Sequence, residues 1–191
     1  MLLDTLAILP FEGARYGRDA YREACVMSAL DTLRRDHHAA LAFIARARVW
    51  PERLGAGRPY DADDRLEDFL ESRIRLQQGD RRASVRLLAS VNAYTAAHTG
   101  ANSPQHLIGA LALRESGRDA EALGLLRAWN RRDPANDFAK WALAMFQKRH
   151  DQAASSFRGM QERTFNRSTG DQESLLVADV VKAMPREWWT P

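Results

Sequence analysis

Hydrophobic residues recur at every third or fourth position along most of the chain, which is the period of an amphipathic helix. In residues 18–34, for example, Ala24, Met27, Leu30 and Leu33 follow one another at this spacing. Strong helix formers are abundant, and the Asn-Gly and Asp-Gly pairs typical of tight β-hairpins do not occur. The pattern predicts an all-α fold of about nine helices.

Capping and turn residues divide this pattern into separate helices. Asp36 is placed to cap a second helix that ends before Pro51. Ser103-Pro104 and Asp133-Pro134 each predict a helix start with a capping side chain and a proline in the first turn. Further breaks are predicted at Gly79-Asp80, at Gly117, over residues 166–170 and at Pro185.

Two consecutive segments repeat the same arrangement of residues. Placing Gly79 on Gly117 brings Leu87-Leu88 onto Leu125-Leu126 and Val91 onto Trp129. A small residue lets a second helix approach its partner, and a large residue nearby fills the next gap. The second copy resembles a tetratricopeptide repeat at Ala110, Gly117, Ala122, Leu126 and Pro134.

A repeat of this kind has a direct consequence for the fold. One helical hairpin cannot bury both of its faces, so hairpins stack on one another. We therefore expect a right-handed array of stacked hairpins, a tetratricopeptide-like α-solenoid, with an irregular helical bundle as the alternative. The chain of 191 residues is predicted to form one domain over residues 1–191. It would have a lead-in over residues 1–14, a Gly/Pro-rich loop over residues 51–63 and a tail over residues 185–191.

Composition and charge narrow the classes of function. The 28 basic residues, of which only Lys140, Lys148 and Lys182 are lysines, are nearly balanced by 25 acids. No run of five or more like charges occurs, so we expect no nucleic-acid partner. No apolar run reaches the roughly 18 residues of a membrane span, and the first residues do not form a signal peptide, which favours a cytoplasmic location. The single cysteine, Cys25, excludes an internal disulfide, and its apolar neighbours favour a buried thiol over a nucleophile.

One block, residues 50–61 (WPERLGAGRPYD), is richer in glycine, proline, aromatic and charged residues than a spacer requires. Together with residues 9–18 (LPFEGARYGR), 107–113 (LIGALAL) and 139–143 (AKWAL), it resembles the C-terminal helical-repeat region of bacterial DUF5107-containing proteins. The resemblance covers about residues 8–183 and implies an all-helical array with a carbohydrate connection in the longer parent proteins. It supplies no catalytic residues, and this chain would be a fragment or a stand-alone relative.

Arginines and aromatic residues are concentrated around this block. Such a set can hold an anionic peptide or stack on a sugar ring. The alternative is structural, with Arg15 or Arg58 pairing with Asp61 or Asp68 to fix the loop. The candidate partner-binding residues are Arg15, Arg18, Trp50, Arg53, Arg58, Tyr60, Asp61 and Arg65.

Other chemical signals favour structural roles. Six acids within a short segment could supply a glycosidase carboxylate pair, but an acidic helix start matched to the helix dipole, with Arg65 and Arg75 as partners, is favoured. Adjacent His37 and His38 cannot form the i, i+4 pair that binds zinc. Trp129 and Trp141 are predicted in the core, and Trp188-Trp189 either cap the last hairpin or mark an interface. The six acids are Asp61, Asp63, Asp64, Glu67, Asp68 and Glu71.

The function that these observations predict is a non-catalytic, tetratricopeptide-like binding or scaffold module. Its partner would be a protein, a peptide or a neighbouring domain of a longer parent. The alternative is an accessory helical domain of a carbohydrate-processing protein, which contacts glycan or its catalytic partner. No catalytic residue, metal site or cofactor is predicted.

Overall fold

A computed structural model describes residue 7, residues 15–164 and residues 172–189. These residues form nine α-helices and contain no strand, so the all-α prediction is confirmed. The helices are α1 (Arg15–Thr32), α2 (His37–Ala47), α3 (Arg65–Gln77), α4 (Arg81–Ala97), α5 (His106–Glu115), α6 (Asp119–Arg132), α7 (Asp137–Phe146), α8 (His150–Thr164) and α9 (Gln172–Ala183). Two short 3-10 turns, Glu52–Leu54 and Arg186–Trp188, lie between or after them. The predicted loop over residues 166–170 and the lead-in over residues 1–14 fall largely outside the described residues.

The first eight helices pair in chain order. The four hairpins α1–α2, α3–α4, α5–α6 and α7–α8 contact each other through α2 and α3, α4 and α5, and α6 and α7. In addition, α3 touches α5, so the first helices of two successive hairpins lie side by side. None of the helices in the described part of the chain is long and apolar enough to span a membrane.

Three of the hairpins are closed by the same turn. Gly79 and Gly117 have φ values of 83° and 74°, the left-handed conformation that glycine adopts without steric cost. In each turn the next residue donates its amide to the carbonyl five residues earlier, which is the hydrogen bond of a Schellman motif. The predicted correspondence of Gly79 with Gly117 is thus confirmed, and Lys148, with a φ of 59°, is at the same place in the α7–α8 turn.

The helix-packing residues of the second copy of the repeat are buried, whereas Leu87 of the first copy is only half-buried. Ala122, Leu126 and Trp129 of α6 belong to the core, as does Cys25 of α1. Aromatic contacts continue from Trp129 along the later helices, which joins α6, α7 and α8 into one packed layer. The rings in this series are Trp129, Phe138, Trp141 and Phe157.

Two predicted helix starts differ from the structure. The side chain of Asn136, not Asp133, caps α7 by accepting the amide of Ala139. Asp133 instead ends α6, and its carboxylate accepts a hydrogen bond from Asn102 at 3.0 Å. Before α5, Ser103 accepts the amide of Gln105, but residues 104–105 form a separate turn and the helix begins at His106. The predicted cap of α2 is confirmed, since Asp36 accepts the amides of His38 and Ala39.

The last helix returns to the first helices of the array. Helix α9 packs against α1, and Glu173 at its start accepts hydrogen bonds from Arg22 of α1 and from Gln105 before α5. Half of the residues of α9 are buried, including Leu176 and Val180. The face that α1 and the start of α5 form is therefore covered by the chain itself.

The tryptophans after α9 dock on earlier helices rather than on the last hairpin. Trp188 is buried with the guanidinium of Arg73 in α3 at 5.8 Å from its ring centroid. The carbonyl of Trp189 accepts a hydrogen bond from Arg114 of α5. Trp188 is thus docked on the protein, but its observed partner is α3 and not the terminal hairpin that the sequence predicted.

Helices α4 and α5 are in close contact at Gly109, where a Cβ atom would overlap the side chain of Thr95. We expect Gly109→Ala to lower the free energy of unfolding by roughly 1–3 kcal/mol, because the added methyl must displace Thr95. The matched control is Gly124→Ala in α6, where a Cβ meets nothing within 4 Å. That substitution should raise the free energy of unfolding by about 0.5–1 kcal/mol. Urea unfolding of both variants measures the difference, and equal shifts would contradict this packing.

Candidate functional site

The segment between α2 and α3, residues 48–64, is called here the α2–α3 loop; it holds most of the predicted binding residues. Its first half is anchored, because Pro51 and Leu54 are buried and the 3-10 turn Glu52–Leu54 contacts α1. Gly55 then adopts a φ of 73° and turns the chain outward. The second half, residues 57–61, is exposed.

Arg18 and Trp50 form an internal stack. The Arg18 guanidinium is 4.4 Å from the Trp50 ring centroid and donates a hydrogen bond to the carbonyl of Ala47 at 2.7 Å. The Arg18 side chain is buried, which together with the nearby charge of Arg22 lowers its pKa. One face of the Trp50 ring is thus covered by Arg18. The Arg18 guanidinium joins α1 to the end of α2 through its hydrogen bond to Ala47.

Arg53, another of the predicted arginines, also lies beside α1. The guanidinium of Arg53 lies 5.9 Å from the ring centroid of Tyr21 in α1, and Arg53 is only half-exposed. Arg15 begins α1, but its side chain lies outside the described residues.

Two ion pairs fix the second half of the loop to the start of α3. Arg58 pairs with Asp64 at 2.6 Å. Arg65, whose side chain is buried, donates to both carboxylate oxygens of Asp63, at 2.8 and 2.6 Å. Arg65 also lies 5.2 Å from the ring centroid of Tyr94 in α4. Bidentate geometry and burial make the Arg65–Asp63 pair the more rigid of the two.

A third contact joins Asp61 to His98 just after α4. The His98 Nε2 is 2.9 Å from a carboxylate oxygen of Asp61, and its Nδ1 is 2.9 Å from the carbonyl oxygen of Tyr94. The His98 ring also stacks on Tyr94, with centroids 4.0 Å apart. Both ring nitrogens face acceptor oxygens, and both can donate a hydrogen bond only when the imidazole is doubly protonated.

Tyr60 is the one predicted aromatic residue that points fully away from the protein, with a relative exposure of 108%. It lies between Arg58 and Asp61, whose side chains bind Asp64, the last residue before α3, and His98 at the end of α4. The loop is thus fixed on both sides of an exposed aromatic ring.

The structural alternative holds in kind for Arg58, but the partners predicted for Arg58 are wrong; the predicted pairing of Arg15 lies outside the described side chains. Arg58 pairs with Asp64 and not with Asp61 or Asp68. Asp68 faces the end of α2, where Arg48 binds it at 2.7 Å. The difference arises because the Asp68 carboxylate is already bound at the end of α2, by Arg48.

The acidic start of α3 is neutralised by arginines from several elements. Glu67, with 0% exposure, accepts two hydrogen bonds from Arg22 of α1, at 2.6 and 2.9 Å. Burial opposes the charge of Arg22, but the charge and hydrogen bonds of Glu67 outweigh it and raise the Arg22 pKa. Glu71 pairs with Arg48 and with Arg75, and the Arg75 partner was predicted from the sequence. All six clustered acids therefore have a basic partner.

Sequence reasoning missed the most buried of these pairs. Arg22 and Glu67 are 45 residues apart and carry no motif. The usable signal is that both fall on helix faces otherwise lined by apolar residues, where an unpaired charge would be costly. Among the residues described, no group of three or more His, Cys, Asp or Glu side chains could hold a metal ion.

The Arg22–Glu67 pair should be essential for stability. We expect Glu67→Gln to lower the free energy of unfolding by about 3–5 kcal/mol, since it leaves Arg22 buried with a weaker partner. The control Glu71→Gln removes a partly exposed carboxylate and should cost less than about 1 kcal/mol. Chemical denaturation measures both, and a Glu67→Gln variant as stable as Glu71→Gln would contradict the assignment.

The His98 contact makes the loop sensitive to pH. The hydrogen bond to the Tyr94 carbonyl and the Asp61 carboxylate raise the pKa of His98 above its ordinary 6.5. Protonated His98 therefore stabilises the folded state. This contribution is complete below about pH 6.5 and is lost as the pH rises through the His98 pKa. We expect an NMR titration of the His98 ring to show a raised midpoint that falls in Asp61→Asn. An unchanged midpoint in that variant would show that Asp61 does not bind His98.

No protein-family model, no curated protein and no solved structure matches this chain.

Proposed function

We propose that this chain is a non-catalytic helical-repeat module that binds a protein or peptide partner, or a neighbouring domain of a longer parent. The contact surface is the exposed half of the α2–α3 loop, residues 57–61, and Tyr60 is its anchor. The observation that carries the proposal is the full exposure of Tyr60 on a loop tied to α3 and to the end of α4.

A fixed, exposed tyrosine suits binding for two physical reasons. Tyrosine is enriched among the residues that supply most of the energy of protein interfaces. A loop that is already ordered loses little conformational entropy on binding, so more of the contact energy appears as affinity. The pairs Arg58–Asp64 and Asp61–His98 provide this order on either side of the ring.

The proposal also includes the way in which the hairpins stack and the family to which the chain is related. We infer a right-handed, tetratricopeptide-like stacking of the hairpins and a relationship to the helical-repeat region of DUF5107-containing proteins. The support is the shared turn at Gly79, Gly117 and Lys148 together with the contacts between successive hairpins. Repeat arrays of this kind commonly serve as binding surfaces.

The position of α9 explains why the loop, and not the array face, is proposed as the contact surface. Glu173 and Trp188 place α9 and the turn after it against α1, α3 and the start of α5. A partner segment would have to displace this buried helix to reach that face. The loop residues need no such displacement.

Affinity capture with single-residue variants tests the proposal. Tagged wild type, Tyr60→Ala and Tyr16→Ala are incubated with extracts of cells that express the protein naturally, and the retained proteins are quantified by mass spectrometry. Tyr16 is a matched control, because it is also an exposed tyrosine but lies on α1. We expect wild type and Tyr16→Ala to retain the same partner, and Tyr60→Ala to retain at least about tenfold less, a loss typical of an interface anchor.

The result that overturns the proposal is equal retention by all three forms, or no partner retained by any of them. Circular dichroism of Tyr60→Ala checks that the fold is intact, as expected for a side chain without internal contacts.

A further inference from the structure

Helix α4 presents an exposed face without charge. Residues 87–97 contain no Asp, Glu, Lys or Arg, although 28% of the chain is charged. The outward positions hold Val85, which is 60% exposed, followed by Ala89, Ala93 and Ala96. Surface helices ordinarily carry polar and charged residues on the side that faces water, so this face has the composition of a covered surface while lying open.

The face forms one wall of a groove of about 560 Å³. The opposite wall is the turn between α5 and α6, with Glu115, Ser116 and Arg118. The charged residues of this wall form ion pairs within the chain, because Glu115 pairs with Arg73 and Arg118 pairs with Glu121. The middle of the groove is thus apolar, with small side chains that allow another helix to approach closely.

Unpaired positive charge flanks Val85, the groove residue nearest the start of α4. Arg81, Arg82 and Arg86 are exposed on the first turns of α4. None of the carboxylates in the described ranges lies within ion-pair distance of these three guanidinium groups, whereas most arginines around α3 are paired. The Asp80 carboxylate caps the start of α4 through the amide of Ala83 and is not within ion-pair distance of these arginines.

We propose that this face of α4 binds an amphipathic helix of a partner protein, apolar along one side and acidic at the end that meets Arg82 and Arg86. Val85, Ala89, Ala93 and Ala96 repeat at three to four residues, which matches the apolar stripe of an opposing helix. The acidic end follows from charge complementarity, because the arginines have no partner of their own.

A second copy of this chain fits the face less well. Its acid-rich helix start, in α3, already has its carboxylates bound by Arg22, Arg48 and Arg75. An acidic helix from another protein would bring free carboxylates instead.

The proposal is independent of the Tyr60 surface. Tyr94 and His98, which hold the loop, lie on roughly the opposite side of α4 from Ala89 and Ala93, at about 100° of rotation per residue. Loss of binding at one surface therefore leaves the other unchanged, and failures of the two proposals are distinguishable.

Selection from a displayed library of random helical peptides of about 18 residues, or five turns, tests the proposal. The library is selected on the wild-type full chain and counter-selected on Ala93→Arg, which fills the groove with a charged side chain. We expect enriched peptides to share an apolar i, i+3, i+4, i+7 stripe with acids at one end. Circular dichroism checks the fold of Ala93→Arg, and Ala96→Arg takes its place if that variant unfolds.

A charge reversal tests the acidic end. We expect Arg82→Glu with Arg86→Glu to weaken the selected peptides at least about tenfold at low salt, and less at high salt, where exposed charges are screened. The matched control is Arg127→Glu with Arg131→Glu on α6, which reverses two exposed arginines at the same spacing. That control should bind like wild type.

Three results would overturn the proposal. One is the absence of enriched peptides, and another is enrichment of peptides without acids or with equal affinity for Ala93→Arg. The third is a wild-type dimer in analytical ultracentrifugation that Ala93→Arg dissolves, since this would make a second copy the occupant.

Discussion

The buried pair between Arg22 and Glu67 is the constraint on which the arrangement of the helices depends. Two charges removed from water are tolerated only when each satisfies the other with good geometry. Here the two hydrogen bonds fix α1 against α3, and Glu173 extends the same charged group to α9. These contacts therefore fix the positions of α1, α3 and α9 relative to one another. The α2–α3 loop must span the distance between α2 and α3 in that arrangement.

Local features of the fold were readable from the sequence. Glycines at Gly79 and Gly117 predicted two equivalent turns, because only a residue that tolerates positive φ closes a hairpin in this way. The third turn has Lys148 at the same position, so a search of the sequence for glycine does not find it. Asp133 misled the prediction of the α7 start, since a side chain that can cap a helix can equally end the preceding one and bind Asn102.

The candidate site was readable only in part. The sequence identified the block around Tyr60, and six of its predicted members, from Trp50 to Arg65, lie on one loop or at its end. The partners of its charged residues were not predictable, because Asp61 binds a histidine 37 residues away and Arg18 is buried against α2. Pairing between residues of distant helices depends on the angles at which the helices pack. Local sequence patterns do not determine these angles.

The return of α9 to α1 changes how such a chain loses its structure. In an open array each hairpin contacts only its neighbours, so the ends unravel first and the middle persists. Here the last described helix covers the first, and opening either end exposes the same buried charges. The domain should consequently melt in a single cooperative step, and a cut between any two hairpins should weaken both pieces.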